Sequence, residues 1–416
     1  MSDHWWQETL EAVRRRDYPA AKRAAVRGLG QQEGPRPWMA LAAVLRMMGD
    51  LRGAREAMEQ GFVRHAFNRI PAESADALRA LILVPVHLES LTLTPEGAFG
   101  GGASVDWGFF LDGIVHQEFV PVELLERHPE RLEALRQRSD VVVNLISDPD
   151  AAWDSLRVAS RVVADLGLPA VNHPDRVLEC GRARNFQRLS GIPGLEFPHT
   201  FDVDLPPSRT AALDVVRTAA AKVGYPFLLR RAGWHGGSFL ERIDGPEAIA
   251  SVNLVPGGGR HHVIQFRDYA GGDGLYRKIR MYSVEGTWYP RSVNVGKAWD
   301  VHFASYWELL QTGEASRLQA EEGGFLDDWR AKIGPVGLEA LDEVARVVDL
   351  DWFGIDFTVL PDGTLFVFEV NPAMRLAGSA QAPIPGREVL SKRFKEPIIN
   401  ATRELVRNRA AGRLPV

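Results

Sequence analysis

The chain has 416 residues, of which 45% are hydrophobic and 25% are charged, a composition typical of a globular protein with about two to four domains. Its formal net charge of −5 gives no electrostatic reason to expect a nucleic acid or a membrane surface as a partner. The one cysteine, Cys180, excludes an internal disulfide framework and a multi-cysteine zinc site, and without a signal-like N-terminus or a run of about 18 apolar residues we predict a cytoplasmic protein.

Residues 1–75 contain an internal repeat with a period of 33 residues, close to the roughly 34 of tetratricopeptide helix pairs. The recurring pairs are Trp5 and Trp38, Asp17 and Asp50, Ala21 and Ala54, and Gly28 and Gly61. We predict a tetratricopeptide-like helical domain that packs against the rest of the chain, because two such units cannot bury their faces alone. It would either bind a protein or peptide partner or serve packing and dimerisation.

Residues 76–175 change to alternating strands and helices. Short apolar runs at residues 81–86 and 141–146 are typical of buried parallel strands. Residues 152–166 have helical periodicity and lead into a further apolar run at residues 168–171. This order predicts a small α/β domain.

Residues 176–416 mix helices with antiparallel hairpins, which predicts an α+β domain. Its first hairpin has a glycine-rich loop in which Gly233, Gly236 and Gly237 would let backbone N–H groups approach a phosphate. Arg230, on the strand before the loop, adds positive charge. Because glycine-rich hairpins are common, this pattern alone is also compatible with an ordinary loop.

A second hairpin turns at Glu285-Gly286. Counting outward from that turn places Arg280 opposite Arg291. Like charges that face each other across two strands repel, and a bound polyanion would relieve the repulsion. The pattern predicts that Arg280 and Arg291 contact phosphate, and the alternative is a solvated basic strand edge.

A third hairpin turns at Asp362-Gly363. Counting outward places Asp356 directly opposite Glu369, and Asn371 projects from the same face because strand side chains alternate. Facing carboxylates repel unless positive charge lies between them. Magnesium accepts carboxylate and amide oxygens and shares its shell with substrate phosphates, so we predict a metal-nucleotide site. The alternative is an exposed strand face with incidental acids.

These three hairpins, in this order, resemble the ATP-grasp superfamily, particularly its glutathione-synthetase-like and ribosomal-protein glutamate ligase branch, over roughly residues 80–405. Upstream motifs match as well: Val171-Asn172-His173-Pro174, Gly191-Ile192-Pro193 and Pro198-His199-Thr200. The chain departs from the family in having Arg230 where a lysine is usual, and Arg184 or Arg182 in place of an earlier lysine. Both changes preserve the positive charge.

The resemblance implies an α+β ATP-grasp fold over residues 176–416, preceded by a small α/β pre-ATP-grasp domain and the helical repeat. It implies ATP and Mg²⁺ as cofactors, with two ions and Mn²⁺ as a substitute. The implied activity is that of an ADP-forming carboxylate-amine or carboxylate-thiol ligase that proceeds through an acyl phosphate and takes small-molecule or peptide carboxylates and amines as substrates. The implied site residues are Arg184, Arg230, Gly233, Gly236, Gly237, Gln265, Phe266 and Asp268 for the nucleotide, Asp356, Glu369 and Asn371 for the metal, and Arg280 and Arg291 for catalysis.

Two other functions are compatible with the same motifs. One is a non-catalytic nucleotide-sensing adaptor whose helical repeat recruits a partner, and the other transfers phosphate to a group other than a carboxylate. The retained acids favour the ligase, because a sensor could discard them.

Two further stretches have a weaker interpretation. The His261-His262 pair lacks a third ligand, so we interpret it as a surface feature rather than a metal site. Residues 299–329 are interpreted as an insertion that covers the acceptor pocket.

Overall fold

A computed structural model describes most of the chain. The residues that it describes are 4–32, 34–65, 69–85, 92–93, 95, 97, 99–100, 108–233, 239–254, 258–372, 374–376 and 387–412.

Four helices form the N-terminal segment, as the sequence predicted. They are α1 (His4–Arg14), α2 (Tyr18–Gln31), α3 (Pro35–Met47) and α4 (Leu51–Arg64). Successive helices pack against one another, and alanines such as Ala21 and Ala54 are fully buried between them.

The residues that recur with the 33-residue period occupy equivalent positions. Asp17 accepts a hydrogen bond from the N–H of Ala20 at the start of α2, and Asp50 accepts one from Gly53 at the start of α4, which is the arrangement of an N-cap. Gly28 lies against the indole of Trp5, as Gly61 lies against Trp38. The two helix pairs therefore use the same contacts, while their assignment as tetratricopeptide units stays a prediction.

A mostly parallel five-stranded sheet follows the helices. Its strand order is β1-β5-β2-β6-β7, with β1 antiparallel to β5 and the other neighbours parallel. The strands of this part, including a separate two-stranded ladder of β3 and β4, are β1 (Arg69–Ile70), β2 (Arg79–Val84), β3 (Thr92–Leu93), β4 (Phe99–Gly100), β5 (His116–Pro121), β6 (Val141–Asn144) and β7 (Ala170–Val171). Its helices are α5 (Gly108–Leu111), α6 (Val122–Arg127), α7 (Leu132–Gln137), α8 (Trp153–Leu166) and α9 (Pro174–Leu178).

The N-terminal helices pack against this α/β part through α4. The guanidinium of Arg131 lies 4.6 Å from the ring centroid of Phe62, and Glu59 accepts hydrogen bonds from Arg127 at 2.9 Å and pairs with His128 at 3.2 Å. The helical segment is thus attached to the α/β sheet by a mixed apolar and ionic contact.

Two further sheets make up the C-terminal part. An antiparallel four-stranded sheet has the order β11-β10-β12-β9, and a five-stranded sheet has the order β14-β13-β15-β16-β8. The strands are β8 (Leu195–Glu196), β9 (Thr200–Leu205), β10 (Phe227–Arg231), β11 (Leu240–Ile243), β12 (Gly259–Gln265), β13 (Tyr276–Val284), β14 (Thr287–Gly296), β15 (Trp352–Val359) and β16 (Leu365–Asn371). The helices are α10 (Arg182–Leu189), α11 (Arg209–Val223), α12 (Phe303–Leu310), α13 (Ala315–Asp327), α14 (Trp329–Val348) and α15 (Arg387–Ala410).

The apolar side chains of the described residues fall into separate clusters. The four-stranded sheet and α11 have a core of their own, which includes Val216, Phe227 and Val263. A larger cluster runs from the N-terminal helices to the second five-stranded sheet. The four-stranded sheet is therefore a unit whose attachment to the rest depends more on polar contacts.

Asn172 joins the parallel sheet to the second five-stranded sheet. Its side-chain amide donates to the carbonyl of Trp352 at 2.8 Å and accepts from the N–H of Trp352 at 2.9 Å, so it imitates the pairing of a strand. Its own N–H donates to Asp351 at 2.7 Å. Asn172 adopts a φ of 53°, a conformation that asparagine tolerates better than most residues. This contact fixes the orientation of β15, on which Asp356 lies.

None of the helices within the described ranges is long and apolar enough to cross a membrane.

The contact of Gly28 with Trp5 can be tested by adding a methyl group. A Cβ at Gly28 would lie 2.5 Å from the indole, so Gly28→Ala should lower the free energy of unfolding by about 1–3 kcal/mol because the core cannot accept the extra volume. Thermal and denaturant unfolding would measure the loss.

Gly30 in the same helix is the matched control. A Cβ there meets nothing within 4 Å, so Gly30→Ala should leave the stability unchanged or raise it by up to about 1 kcal/mol. Equal losses in the two variants would contradict the interpretation of the repeat anchors.

Candidate functional site

A cavity of about 480 Å³ lies between the four-stranded sheet and the second five-stranded sheet. Its lining includes aromatic residues that contact one another, Tyr269, Phe366 and Phe368, and charged groups of both signs. The residues that line it are Arg182, Pro198, Leu228, Arg230, Leu240, Ile264, Gln265, Phe266, Arg267, Tyr269, Lys278, Arg280, Asn294, Trp299, Asp300, Val301, His302, Asp356, Phe366, Phe368 and Glu369. Its size is that of a typical small-molecule site.

The acidic hairpin brings Asp356 and Glu369 together as the sequence predicted, since the two residues are directly paired across β15 and β16. The loop has three residues, one more than the predicted Asp362-Gly363 loop, because the N–H of Leu360 donates to the carbonyl of Thr364 at 2.8 Å and the N–H of Gly363 donates to the carbonyl of Leu360 at 2.9 Å. A β-bulge at Phe368, which is opposite no residue of β15 in the register, then restores the predicted pairing of Asp356 with Glu369. Because the bulge interrupts the alternation of the strand, both Phe368 and Glu369 line the cavity.

Arginine side chains lie against both carboxylates. Arg280 donates to Asp356 through Nε at 2.7 Å and Nη2 at 2.8 Å, and the ammonium of Lys278 lies 3.7 Å from the same carboxylate. Arg182 donates to Glu369 at 2.9 Å. The positive charge that the sequence analysis expected beside the two acids is thus supplied in this structure by guanidinium groups, and a metal ion between them stays a prediction.

Lys278, Arg230 and Arg280 are partly buried, which changes their acidity. Burial lowers the pKa of Lys278 below its ordinary value, although Asp356 opposes the change. Burial and the nearby Arg182 lower the pKa of Arg230 to about 10. Burial also acts against Arg280, but the charge of Asp356 and the hydrogen bonds to it outweigh burial and raise the pKa of Arg280. Arg230 and Arg280 therefore remain cationic near neutral pH.

Asn371 completes the predicted oxygen ligands. Its side-chain Nδ2 donates to Oε1 of Glu369 at 2.9 Å, so the amide lies beside the carboxylate on the same wall. Within the described part of the chain, no group of three or more His, Cys, Asp and Glu side chains is arranged to hold a metal ion. Two carboxylates and one amide oxygen nevertheless fit a hard cation that keeps several waters or phosphate oxygens, as Mg²⁺ does.

The basic hairpin has the predicted turn, with positive φ at Glu285 and Gly286, but Arg291 does not face Arg280. The pairing follows the prediction from the turn as far as Met281 and Pro290, where a bulge shifts the register, and Arg280 pairs with Ser292. Proline has no N–H to donate to the ladder, which favours a bulge at this point. Arg291 donates to Ser391 at 3.1 Å and is not among the residues that line the cavity.

The glycine-rich hairpin is placed as predicted where it is described. β10 and β11 pair as antiparallel strands, and Arg230 lines the cavity. Gly233 has a φ of +73°, and a Cβ there would lie 3.0 Å from the Cβ of Ala151. Gly233 and Arg230 also line a smaller cavity beside Glu369 and Asn371. Gly236 and Gly237 lie outside the described residues.

Of the two arginines at the start of α10 that the sequence analysis named, Arg182 lines the cavity and Arg184 does not. Arg184 donates to Glu179 at 2.6 Å and is half-exposed. Arg182 shares one helix face with the buried residues Asn185 and Leu189, since residues three or four apart lie on the same side of a helix. That periodicity was the signal in the sequence that would have selected Arg182.

The predicted hinge strand corresponds to β12 and the residues that follow it. Gln265 and Phe266 line the cavity, and their N–H groups donate to the carbonyls of His199 at 2.8 Å and Pro226 at 3.3 Å. Because these N–H groups are already engaged, a nucleotide base would contact the two residues through their carbonyl groups or side chains. Asp268 accepts from the N–H of Ala270 at 3.1 Å and is not among the lining residues.

Residues 299–302, which follow β14, form a wall of the cavity. Sequence patterns did not identify which residues of this stretch would line the site. The ring of Trp299 meets the ring of Phe266 edge to face, with centroids 5.6 Å apart, and the hydroxyl of Tyr269 donates to the carbonyl of Trp299. All four residues of the segment line the cavity. The expected insertion therefore begins inside the site and continues as α12 and α13.

A charged cluster that the sequence analysis missed lies beside Arg230. His262 pairs with Asp150 at 3.2 Å and with Asp202 at 2.7 Å, and Arg260 donates to Asp150 at 3.1 Å. His261 and His262 are buried, so their interpretation as a surface feature is wrong. The two histidines directly precede Val263 and Ile264, and all four residues are buried on β12.

The ion pair of Arg280 with Asp356 should be required for stability. Arg280→Gln leaves a buried carboxylate without its main partner, and we expect a loss of about 3–5 kcal/mol in the free energy of unfolding. The double variant Arg280→Gln with Asp356→Asn should recover a large part of that loss, since the buried carboxylate that lost its main partner is then replaced by a neutral amide. Denaturant unfolding of the two variants measures the difference, and a double variant as unstable as the single one would contradict the pairing.

Comparisons with known proteins were made for the whole chain. No protein-family model matches it. It is 27% identical over 238 residues to mouse (Mus musculus) N-acetylaspartylglutamate synthase A, a match that covers 56% of this chain and 55% of that protein. The chain therefore spans about half the length of the curated relative that it matches.

Solved structures to which the chain is similar include the D-alanine–D-alanine ligase of Coxiella burnetii, at 12% identity and a TM-score of 0.43, with 80% of this chain and 96% of that one covered. The chain is also similar to a D-alanine–D-alanine ligase of Bacillus anthracis, at 11% identity and a TM-score of 0.43, with 81% of this chain and 98% of that one covered. A third similar structure is a RimK domain ATP-grasp protein of Sphaerobacter thermophilus, at 12% identity and a TM-score of 0.40, with 79% of this chain and 99% of that one covered. The prediction that this chain resembles the ATP-grasp ligases is confirmed.

Proposed function

We propose that this protein is an ATP-dependent carboxylate-amine ligase that forms an amide or peptide bond through an acyl phosphate and releases ADP. The observation that carries the proposal is the cavity between the two sheets, whose lining combines apolar and aromatic residues with a group of arginines that contact carboxylates. A nucleotide has the same two halves, a flat apolar base and a polyanion.

The base would lie among the apolar and aromatic residues of the cavity. Leu228 and Ile264 come from the four-stranded sheet, and Phe366 and Phe368 come from β16. Side chains from two facing sheets can enclose the two faces of a planar ring, and aromatic residues add favourable stacking. Gln265 and Phe266 at the end of β12 would lie at the edge of the base.

The phosphates would lie among the charged residues of the cavity. Arg182, Arg230 and Arg280 line it, and guanidinium groups bind phosphate oxygens with two parallel hydrogen bonds. On binding, phosphate oxygens would compete with Asp356 and Glu369 for these arginines. Mg²⁺ would then be held by Asp356, Glu369 and Asn371, as two ions for which Mn²⁺ can substitute, and would neutralise charge on the phosphates.

The chemistry needs positioning and charge neutralisation more than a nucleophilic side chain. A substrate carboxylate oxygen attacks the γ-phosphorus, the bond to the β-phosphate oxygen breaks, and ADP leaves. An amine then attacks the acyl carbon, phosphate leaves, and the amine loses a proton. Arg280 and Arg230 would hold the phosphoryl oxygens in line during transfer, which is the type of electrostatic stabilisation that contributes most in such sites.

The matched proteins support an amino acid or a peptide as substrate, since they are described as an N-acetylaspartylglutamate synthase and as D-alanine–D-alanine ligases. We further propose three domains: a tetratricopeptide-like domain of residues 1–75, a pre-ATP-grasp domain of residues 76–175 and the ATP-grasp domain of residues 176–416. The helical domain would bind a protein or peptide partner.

A cytoplasmic location is also part of the proposal. It is supported by the single cysteine, because Cys180 is buried as a free thiol and burial raises its pKa to about 12, which keeps the thiol protonated and unreactive.

Turnover should depend on the acidic hairpin. With ATP, Mg²⁺ and a panel of amino acids and dipeptides, the protein should release ADP and phosphate, and Asp356→Asn and Glu369→Gln should each reduce the rate by at least about 100-fold, as loss of charge stabilisation does in comparable sites. Mass spectrometry identifies the product. A protein that binds nucleotide, recruits a partner and shows no turnover with any panel member would favour the adaptor instead.

Nucleotide affinity should depend on Arg230 and not on its neighbour in sequence. Arg230→Ala should weaken binding of an ATP analogue with Mg²⁺ by about 10–100-fold, because hydrogen bonds to a charged group contribute roughly 1.5–3 kcal/mol. Arg231 alternates to the other face of β10 and does not line the cavity, so Arg231→Ala is the matched control and should bind normally. Calorimetry measures both, and an absence of binding by the wild-type protein would remove the proposal.

A further inference from the structure

The imidazole of His262 is held between two carboxylates from different parts of the chain. Its Nε2 lies 3.2 Å from Oδ2 of Asp150, and its Nδ1 lies 2.7 Å from Oδ1 of Asp202. The side chain is only 2% exposed. A carboxylate accepts hydrogen bonds and does not donate them, so this geometry is satisfied only when both ring nitrogens carry a proton.

The environment is consistent with a charged ring. Burial acts against the imidazolium, but the hydrogen bonds to Asp150 and Asp202 outweigh it and raise the pKa of His262 above its ordinary value. The pKa of Asp150 is lowered, because its contact with His262 and the charge of Arg260 outweigh the effect of burial. The charge on Asp150 therefore persists throughout the range in which the histidine titrates.

The three residues connect elements that otherwise have separate cores. Asp150 lies in the loop of residues 147–151, after β6 of the parallel sheet, whereas Asp202 and His262 lie on β9 and β12 of the four-stranded sheet. The four-stranded sheet has its own apolar cluster. Arg260 donates to both the backbone and the side chain of Asp150, so the contact between the two parts is largely ionic.

The same contact borders the residues proposed to bind phosphate. His262 is the direct cross-strand partner of Arg230, and both line the small cavity that also contains Glu369 and Asn371. Gly233, at the start of the glycine-rich loop, packs against Ala151 of the 147–151 loop. The positions of Arg230 and Gly233 are therefore tied to the position of the 147–151 loop.

We propose that His262 is a positioning residue, whose imidazolium fastens the 147–151 loop to β12 and thereby holds Arg230 and the start of the glycine-rich loop in the geometry that binds phosphate. Loss of its proton removes one of the two charged hydrogen bonds and loosens this contact. The consequence of this inference, that nucleotide affinity falls as the pH rises, rests on the proposed function. The contact itself does not depend on that function.

The charged groups that face His262 come from every element packed against it. They are Asp150 and Asp148 of the 147–151 loop, Asp202 of β9, Arg230 of β10, Arg260 and His261 of β12, Arg182 of α10 and Glu369 of β16. Burial lowers the pKa of His261, so this histidine loses its proton at lower pH than His262.

The sign of the effect follows from the raised pKa. A group whose pKa is raised by folding contributes its full stabilisation below its unfolded value, about 6.5 for histidine, and loses it as the pH rises through the folded value. The contact should thus be intact in acid and neutral solution and weaken toward alkaline pH.

The test measures the affinity of the full-length protein for an ATP analogue with Mg²⁺ by calorimetry between about pH 6 and pH 9. The wild-type affinity should fall about tenfold with a midpoint above 6.5, the size expected for one charged hydrogen bond. His262→Gln should show weaker binding and no such fall. Asp202→Asn should keep the fall but move its midpoint to lower pH, because one carboxylate that stabilises the imidazolium is gone.

His261→Gln is the matched control. This neighbour points to the other face of β12, where its ring contacts the carbonyl of Gly259 at 2.8 Å, and its replacement should leave the pH profile unchanged. Ionisation of the nucleotide is common to all the variants and cannot distinguish them. A profile in His262→Gln that matches the wild type would overturn the proposal.

Hydrogen exchange in the free protein gives a readout that does not need nucleotide. Protection of residues 147–151 should decrease at alkaline pH in the wild type and be low and independent of pH in His262→Gln. If this pattern is found and no nucleotide binds, the fastening role stands and the proposed function fails. If exchange of this loop is the same in both proteins at every pH, the fastening role is wrong.

Discussion

Two carboxylates that face each other on a buried wall must each have an opposite charge nearby, and the architecture around the cavity follows from this requirement. Asp356 is 2% exposed and is held by both nitrogens of the Arg280 fork. Glu369 is held by Arg182. To supply these two arginines, β13 must be the neighbour of β15 in the sheet and α10 must begin beside β16. The same four side chains therefore determine both the packing of the elements and the charge of the cavity.

Local rules predicted much of the fold and the position of the acids. Turn residues predicted the positions of the acidic and the basic hairpin, and apolar runs predicted the positions of parallel strands, because these signals depend on a few consecutive residues. Bulges explain why similar arguments had different outcomes. In the acidic hairpin, a longer turn and the bulge at Phe368 shift the pairing in opposite directions, so Asp356 still meets Glu369. In the basic hairpin, the bulge beside Pro290 is not compensated, and Arg291 is displaced from Arg280.

Contacts between residues far apart in the chain could not be predicted from spacing. Arg182 and Glu369 are 187 positions apart, and Asp150 and Arg260 are 110 apart. Such contacts depend on how three sheets are arranged, and that arrangement follows from packing of the whole chain. A residue such as His262 carries no local sign of two distant acids. A partial signal existed only where a helix period selected a face, as for Arg182, Asn185 and Leu189.

The amide of Asn172 has a consequence for how the chain can be divided. Composition and pattern change near residue 175, where a deletion experiment would naturally cut. A C-terminal fragment that starts there would leave the N–H and carbonyl of Trp352 without their partner, and the N-terminal fragment would carry Asn172 without β15. Each piece would expose polar groups that the intact protein satisfies internally. The boundary visible in the sequence is therefore not a place where the folded molecule separates into independent halves.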